Sequence, residues 1–109
     1  MTTSCLVVLC TCPDQATAER IAETLVVERL AACVNIVPAL VSIYRWQNQI
    51  ERASELLLLI KTREVVYSLL EARIRELHPY EVPEIVALPI QAGLTDYLGW
   101  LADHTGAPV

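Results

Sequence analysis

The stretch CVNIVPALVSIYRWQNQIERASELLLLIKT (33–62) decides the fold, because it predicts two long strands joined by a tight turn. Valine, isoleucine, leucine and aromatic residues dominate 33–46 and 49–62, and β-branched and aromatic side chains favour strands. Gln47-Asn48 separates the two runs, and asparagine tolerates the positive φ angles of a turn. Pro38 interrupts the first strand, so we expect a bulge or an edge position there.

The elements on either side of this hairpin complete a β-α-β-β-α-β order with a terminal helix. From hydrophobic periodicity and Pro/Gly signals we predict strands over 4–11, 33–46, 49–62 and 84–90, and helices from about 13 to 32, 63–78 and 94–104. Thr11 and Asp14 fit a capping box at the first helix, and we expect the last five residues to fray. The order predicts an α+β, ferredoxin-like antiparallel sheet of strand order 4-1-3-2 with both long helices on one face.

Composition describes one apolar-rich domain over 1–109. Hydrophobic residues make up 54% and charged residues 19%, against about 45–50% and about 25% in ordinary domains. No apolar run approaches the ~20 residues of a membrane span, and the start MTTS (1–4) lacks the basic region of a signal peptide. The net charge of −5 speaks against nucleic acid, which needs a basic surface. We therefore predict a cytoplasmic protein with neither nucleic-acid nor membrane partners.

The strands contain more apolar surface than one chain can bury. They are apolar on both faces, and helices on one face leave the other exposed, which usually marks an interface. A 14-residue strand spans about 46 Å, whereas a 16-residue helix covers about 24 Å. The hairpin should outrun its helices, so we predict an oligomer in which a neighbouring chain completes it.

The chain order also sorts side chains between the two ends of the sheet. The end at which the first strand finishes should collect the thiols and the residues of the loop after the second helix: Cys10, Cys12, Asp14, Trp46, His78, Tyr80 and Glu81. Cys33, Lys61 and Arg63 should lie at the opposite end.

Four cysteines, at 5, 10, 12 and 33, lack the Cys-x-x-Cys spacing of a thioredoxin motif or a structural zinc site. Cys10-x-Cys12 could be a soft-metal pair, or two small apolar side chains in a buried strand. Of the two, Cys12 lies just past the strand and should be the more accessible thiol. Cys33 is expected in the core.

Several segments together resemble the CutA family, the divalent-cation tolerance proteins. They cover nearly the whole chain in the right order: VVLCTCPD (7–14), RLAACVNIVPA (29–39), SIYRW (42–46), ELLLLIKTR (55–63), ELHPYEVPEIVALPI (76–90) and YLGWL (97–101). The resemblance implies a ferredoxin-like homotrimer with no established catalytic reaction, associated with tolerance of copper and other divalent cations.

The resemblance also implies candidate metal ligands. Cys10 and His78 match positions tied to copper in bacterial relatives, and Cys12 could assist. Leu77 stands where such relatives can carry a second histidine, and Ala39 stands where a glycine commonly follows the proline. Neutral imidazole and thiolate both suit copper, and no metal is expected to be required for folding. The alternative for His78 is a histidine that bonds the last carbonyls of its helix.

Other functions stay open beside a non-enzymatic, metal-binding homotrimer. Lys61, Tyr80, Glu81 and Trp46 could line an inter-subunit cleft that senses a small molecule or nucleotide, as in nitrogen-regulatory PII-type trimers, although fold analogy alone is weak support. Lys61 could instead form an ion pair with Glu55 or another acid across the interface, or bind an anionic ligand. A third alternative is a stable trimeric scaffold for an unidentified protein partner. An enzyme is not expected, because no nucleophile with a paired base is evident.

Overall fold

Four antiparallel strands form one sheet in the computed structural model, which describes residues 4–107. The elements in chain order are β1 (Cys5–Cys12), α1 (Gln15–Val27), β2 (Cys33–Trp46), β3 (Gln49–Arg63), a 3₁₀ turn (Glu64–Val66), α2 (Tyr67–Leu77), β4 (Val86–Pro89) and α3 (Thr95–Asp103). The strand order is β2-β3-β1-β4. The predicted α+β class with a four-stranded antiparallel sheet is confirmed. The expectations for 1–3 and 108–109 lie outside the described residues.

The β2–β3 hairpin is a long arm with a bulge where the sequence predicts one. The register passes from Val37 opposite Leu57 to Leu40 opposite Glu55, and Ala39 has a φ of 62°. Because β2 is also an edge strand, the proline's missing N–H can be tolerated there. At the tip, Gln47 and Asn48 both have positive φ, as a two-residue type I′ turn requires. The long axis of the chain measures 47 Å.

The core lies between one face of the sheet and the helices α1 and α2. Alternate residues of β1 and β3 point to this face, and helical positions three or four apart meet them. Its fully buried members include Val8, Cys10, Cys12, Ile21, Leu25, Leu58, Ile60, Leu70 and Ile74. Both cysteines of the Cys-x-Cys pair therefore belong to the core between the sheet and the helices.

The opposite face of the sheet is apolar and only partly covered within one chain. Val7 and Leu9 alternate with the core residues of β1 and are half-buried. Their partners in β4, Leu88 and Val86, remain 47% and 46% exposed. The surplus of apolar strand surface expected from the sequence is therefore present in the fold.

Helix α1 differs from the prediction at both ends. Its N-cap is Asp14, whose carboxylate accepts the N–H of Thr17 at 2.8 Å, whereas Thr11 still belongs to β1. The predicted Thr11–Asp14 capping box is wrong. The helix ends at Val27 rather than near residue 32, because Arg29 takes a φ of 61°, the left-handed conformation that terminates helices.

The end of the described chain is pinned rather than frayed. Thr105 is 1% exposed and its hydroxyl accepts a hydrogen bond from Nε of Arg63 at 2.6 Å. Arg29 donates to the carbonyls of Gly106 and Asp103 at 2.6 Å. The expectation of fraying is thus wrong for 105–106, because the partly buried side chains of Arg29 and Arg63 hold this segment.

Candidate functional site

Cys10, Cys12 and His78 meet at one end of the sheet. One ligand atom from each lies within 4.8 Å of the others, and all three side chains are buried. Cys10 and Cys12 share a face of β1 because strand side chains alternate. His78 is the C-cap of α2, where Pro79 prevents the helix from continuing. The helix end thus delivers an imidazole to the end of the strand.

Both nitrogens of the His78 ring are hydrogen-bonded. Nδ1 accepts the backbone N–H of Tyr80 at 3.1 Å, and an N–H can only donate. Nε2 must therefore carry the ring hydrogen, and it donates to the carbonyl of Thr11 at 2.7 Å. These bonds define one neutral tautomer. The histidine thus ties the loop after α2 to the end of β1.

The two thiols differ in acidity. Interaction with Cys12, followed by burial, raises the pKa of Cys10 far above the ordinary thiol value. The same interaction lowers the pKa of Cys12, because a neighbouring S–H stabilises a thiolate. Cys12, which is fully buried and not exposed as expected from the sequence, is therefore the sulfur that ionises first.

The donor set suits a soft metal ion, and binding one would cost a hydrogen bond of His78. Two sulfurs and one imidazole nitrogen are ligands that suit Cu(I) or Zn(II). A ligating thiol loses its proton outright, and the pKa of Cys12 is already lowered in that direction. His78 would have to give up the hydrogen bond of one ring nitrogen. Within residues 4–107, this is the one group of three such donors close enough to hold an ion.

A cavity of about 670 Å³ lies beside this cluster. Three of the four residues predicted for a cleft line it, namely Trp46, Tyr80 and Glu81. Sequence reasoning missed Glu55 as a cavity residue, although a lone acid directly before the apolar run LLLLI (56–60) was a usable signal. Glu55 is 5% exposed and accepts the hydroxyl of Tyr80 at 2.7 Å.

Lys61 takes no part in this cavity within one chain. It lies opposite Val7 and Cys33 in the sheet, and its ammonium donates to the side-chain oxygen of Asn35. Within one chain Lys61 and Glu55 lie six residues apart along β3, so an ion pair between these two positions would have to join two chains.

This geometry defines a class of protein: a small α+β domain with a buried thiol–imidazole cluster at one end of its sheet. Comparison with known families gives a match over residues 6–104 to the CutA1 divalent ion tolerance protein family. A Thermus thermophilus protein named divalent-cation tolerance protein CutA is 57% identical over 100 residues, which is 92% of this chain and 97% of that protein. The chain belongs to the CutA family, as its sequence segments indicated.

Solved structures of CutA proteins share the fold. The Thermus thermophilus structure superimposes with a TM-score of 0.92 at 56% identity, covering 94% of this chain and 99% of its own. The Oryza sativa CutA1 structure gives 0.94 at 42% identity, with 96% of each chain covered.

The relatives differ in length and in the compartments that their names state. The chain spans about half of the human CutA protein, to which it is 45% identical over 95 residues, or 87% of this chain and 53% of that one. Plant relatives are named chloroplastic, and an Archaeoglobus fulgidus structure is described as periplasmic. Between residues 4 and 107, no helix is long and apolar enough to cross a membrane.

Proposed function

We propose that this CutA-family chain is one non-enzymatic domain that assembles as a homotrimer and binds copper or another divalent metal ion. The single observation that supports metal binding is the convergence of Cys10, Cys12 and His78 within 4.8 Å. The family name supports a role in tolerance of divalent cations.

The trimeric part of the proposal rests on apolar surface. The sheet face away from the helices exposes Leu88 and Val86, and the hairpin arm exposes Val41, Ile43 and Ile50 by 57–62%. An isolated hairpin is at best marginally stable in water. Pairing of the arms of three ferredoxin-like copies would cover this surface and give the edge strand β2 a partner for its backbone hydrogen bonds.

The three side chains would contribute differently at the metal centre. Cys12 would supply the thiolate that forms more readily, and Cys10 would have to lose its proton in order to ligate. His78 would have to give up the hydrogen bond of one ring nitrogen. Leu77 contributes packing against the core rather than a further imidazole. Uptake should therefore release protons and weaken in acid.

The test is a titration of the reduced oligomer with Cu(I), Cu(II) and Zn(II) by calorimetry and chelator competition. We expect Cys10→Ser, Cys12→Ser and His78→Ala each to weaken binding. The matched controls Cys33→Ser and His104→Ala change a thiol and an imidazole outside the cluster and should bind as wild type does. Absence of binding by the wild type, or equal losses in the controls, would disprove the metal centre.

A second candidate function, sensing of a small molecule, is favoured by the cavity that Trp46, Tyr80 and Glu81 line. Thermal-shift screening tests it, because a ligand of the native state alone raises the melting temperature.

We further propose a cytoplasmic location. All four cysteines are free in the fold, which suits a reducing compartment. Fractionation of cells under native expression would check this assignment.

A further inference from the structure

The cavity beside the metal centre combines negative charge with aromatic walls. Its acidic members are Glu55, Glu81 and Glu84, and its aromatic members are Tyr44, Trp46 and Tyr80. None of the described residues that line it is a lysine or an arginine. A volume of about 670 Å³ lies within the usual ~300–1,000 Å³ of small-molecule sites.

Glu55 is the deepest charge in this cavity. It is 5% exposed, and the Tyr80 hydroxyl bonds one carboxylate oxygen, Oε2, at 2.7 Å. No side-chain hydrogen bond or ion pair among residues 4–107 engages the other oxygen, Oε1. Because that part of the chain contains no fully buried polar side-chain atom without a partner, Oε1 retains some accessible surface, and Glu55 lines the cavity.

Glu55 is largely buried, and its one side-chain hydrogen-bond partner among residues 4–107 is the neutral Tyr80 hydroxyl, so a cation in the cavity would stabilise its carboxylate. The aromatic side chains supply a second attraction for positive charge, because the faces of Trp and Tyr rings carry negative potential. The same acids repel phosphates, which argues against a nucleotide in this cavity.

The three carboxylates do not converge as ligands of one metal ion. Only the Cys10, Cys12 and His78 cluster brings three ligand atoms together within the described range. Several acids and aromatic side chains around one cavity fit a cation that has several carbon atoms and more than one charge.

We propose that this cavity binds an organic ammonium ion of the aliphatic diamine or polyamine class. One ammonium group donates to Oε1 of Glu55, the alkyl chain packs against Trp46 and Tyr44, and a second ammonium group meets Glu81 or Glu84 at the rim. The proposal names the ligand class for the small-molecule candidate and is independent of the metal centre.

The test is calorimetric titration of the intact oligomer with putrescine, cadaverine and spermidine, beside 1,5-pentanediol as an uncharged analogue and ATP as an anion. We expect the amines to bind and the diol and ATP not to bind. Glu55→Gln should weaken amine binding about tenfold or more, because a charge-assisted hydrogen bond is lost. Glu64→Gln changes the net charge equally at a distant site and should leave binding unchanged.

Trp46→Ala keeps the test decisive if Glu55→Gln fails to fold. We expect it to weaken amine binding at least threefold through loss of the aromatic wall. Cys10→Ser should lose metal and keep the amine, which separates this proposal from the metal centre. No amine binding by the wild type, equal binding of the diol, binding of ATP in place of the amines, or unchanged binding in both cavity variants would overturn the proposal.

Discussion

The backbone N–H of Tyr80 donates to Nδ1 of His78 at 3.1 Å, and the two rings pack with centroids 4.7 Å apart. The Tyr80 hydroxyl reaches Glu55 at the same time. One residue therefore fixes the tautomer of a candidate metal ligand with its backbone and partners a buried carboxylate with its side chain. The candidate metal centre and the acidic cavity share this residue.

His78→Ala is expected to destabilise the protein by about 2–4 kcal/mol, because it removes the ring's hydrogen bond to the Thr11 carbonyl and leaves the partly buried Tyr80 N–H without its side-chain acceptor. Urea unfolding at fixed protein concentration measures the effect. His104 bonds only an exposed carbonyl of its own helix, so His104→Ala should cost under about 1 kcal/mol. Equal losses in the two variants would contradict the structural role given to His78.

Tyr80 should ionise later than an ordinary tyrosine, because burial and the hydrogen bond to Glu55 raise its pKa. A raised pKa contributes stability that is fully present below the unfolded value of about 10 and is lost above it. The free energy of unfolding should therefore fall more steeply above pH ~10 in the wild type than in Tyr80→Phe. Absorbance at the tyrosinate band should show a late-titrating component that is smaller in Tyr80→Phe, since the pKa values of Tyr67 and Tyr97 are also raised; identical titration curves would refute this.

Ala39→Gly is expected to be neutral or to stabilise by up to about 1 kcal/mol. Ala39 has a φ of 62°, a conformation that costs an L-residue about 1–2 kcal/mol. Glycine removes this strain but increases the conformational entropy of the unfolded chain, which offsets part of the stabilisation. Ala53→Gly, within regular β3, should instead destabilise by about 0.5–1 kcal/mol. Thermal unfolding of the pair checks the opposite signs, and a loss at both positions would remove the argument.

Leu88→Lys should shift the protein from trimer toward monomer, because it places a charge on the uncovered face of the sheet. Light scattering after size exclusion should report three chain masses for the wild type and fewer for the variant. Val27→Lys changes a more exposed residue at the end of α1 (79%) and should leave the mass unchanged. A wild type of one chain mass would disprove the assembly.

The sequence predicted most of the regular elements because their signals are local. Alternation and β-branched residues define β2 and β3, Pro38 marks the bulge, and Pro79 ends α2 at His78. Strand periodicity and the order of elements were also enough to bring the Cys-x-Cys pair and His78 to one end. Where α1 ends was less predictable, because the apolar spacing continues past Arg29 and only the backbone shows its left-handed turn.

What the sequence by itself determined is therefore the strands, the helices, their order and the surplus of apolar surface, since each follows from neighbouring residues. Tertiary structure alone decided that Cys12 is buried, that both His78 nitrogens are occupied, that Lys61 meets Asn35, and that Glu55 faces the acidic cavity. These facts depend on side chains brought together from distant parts of the chain, and no local pattern encodes which atom meets which.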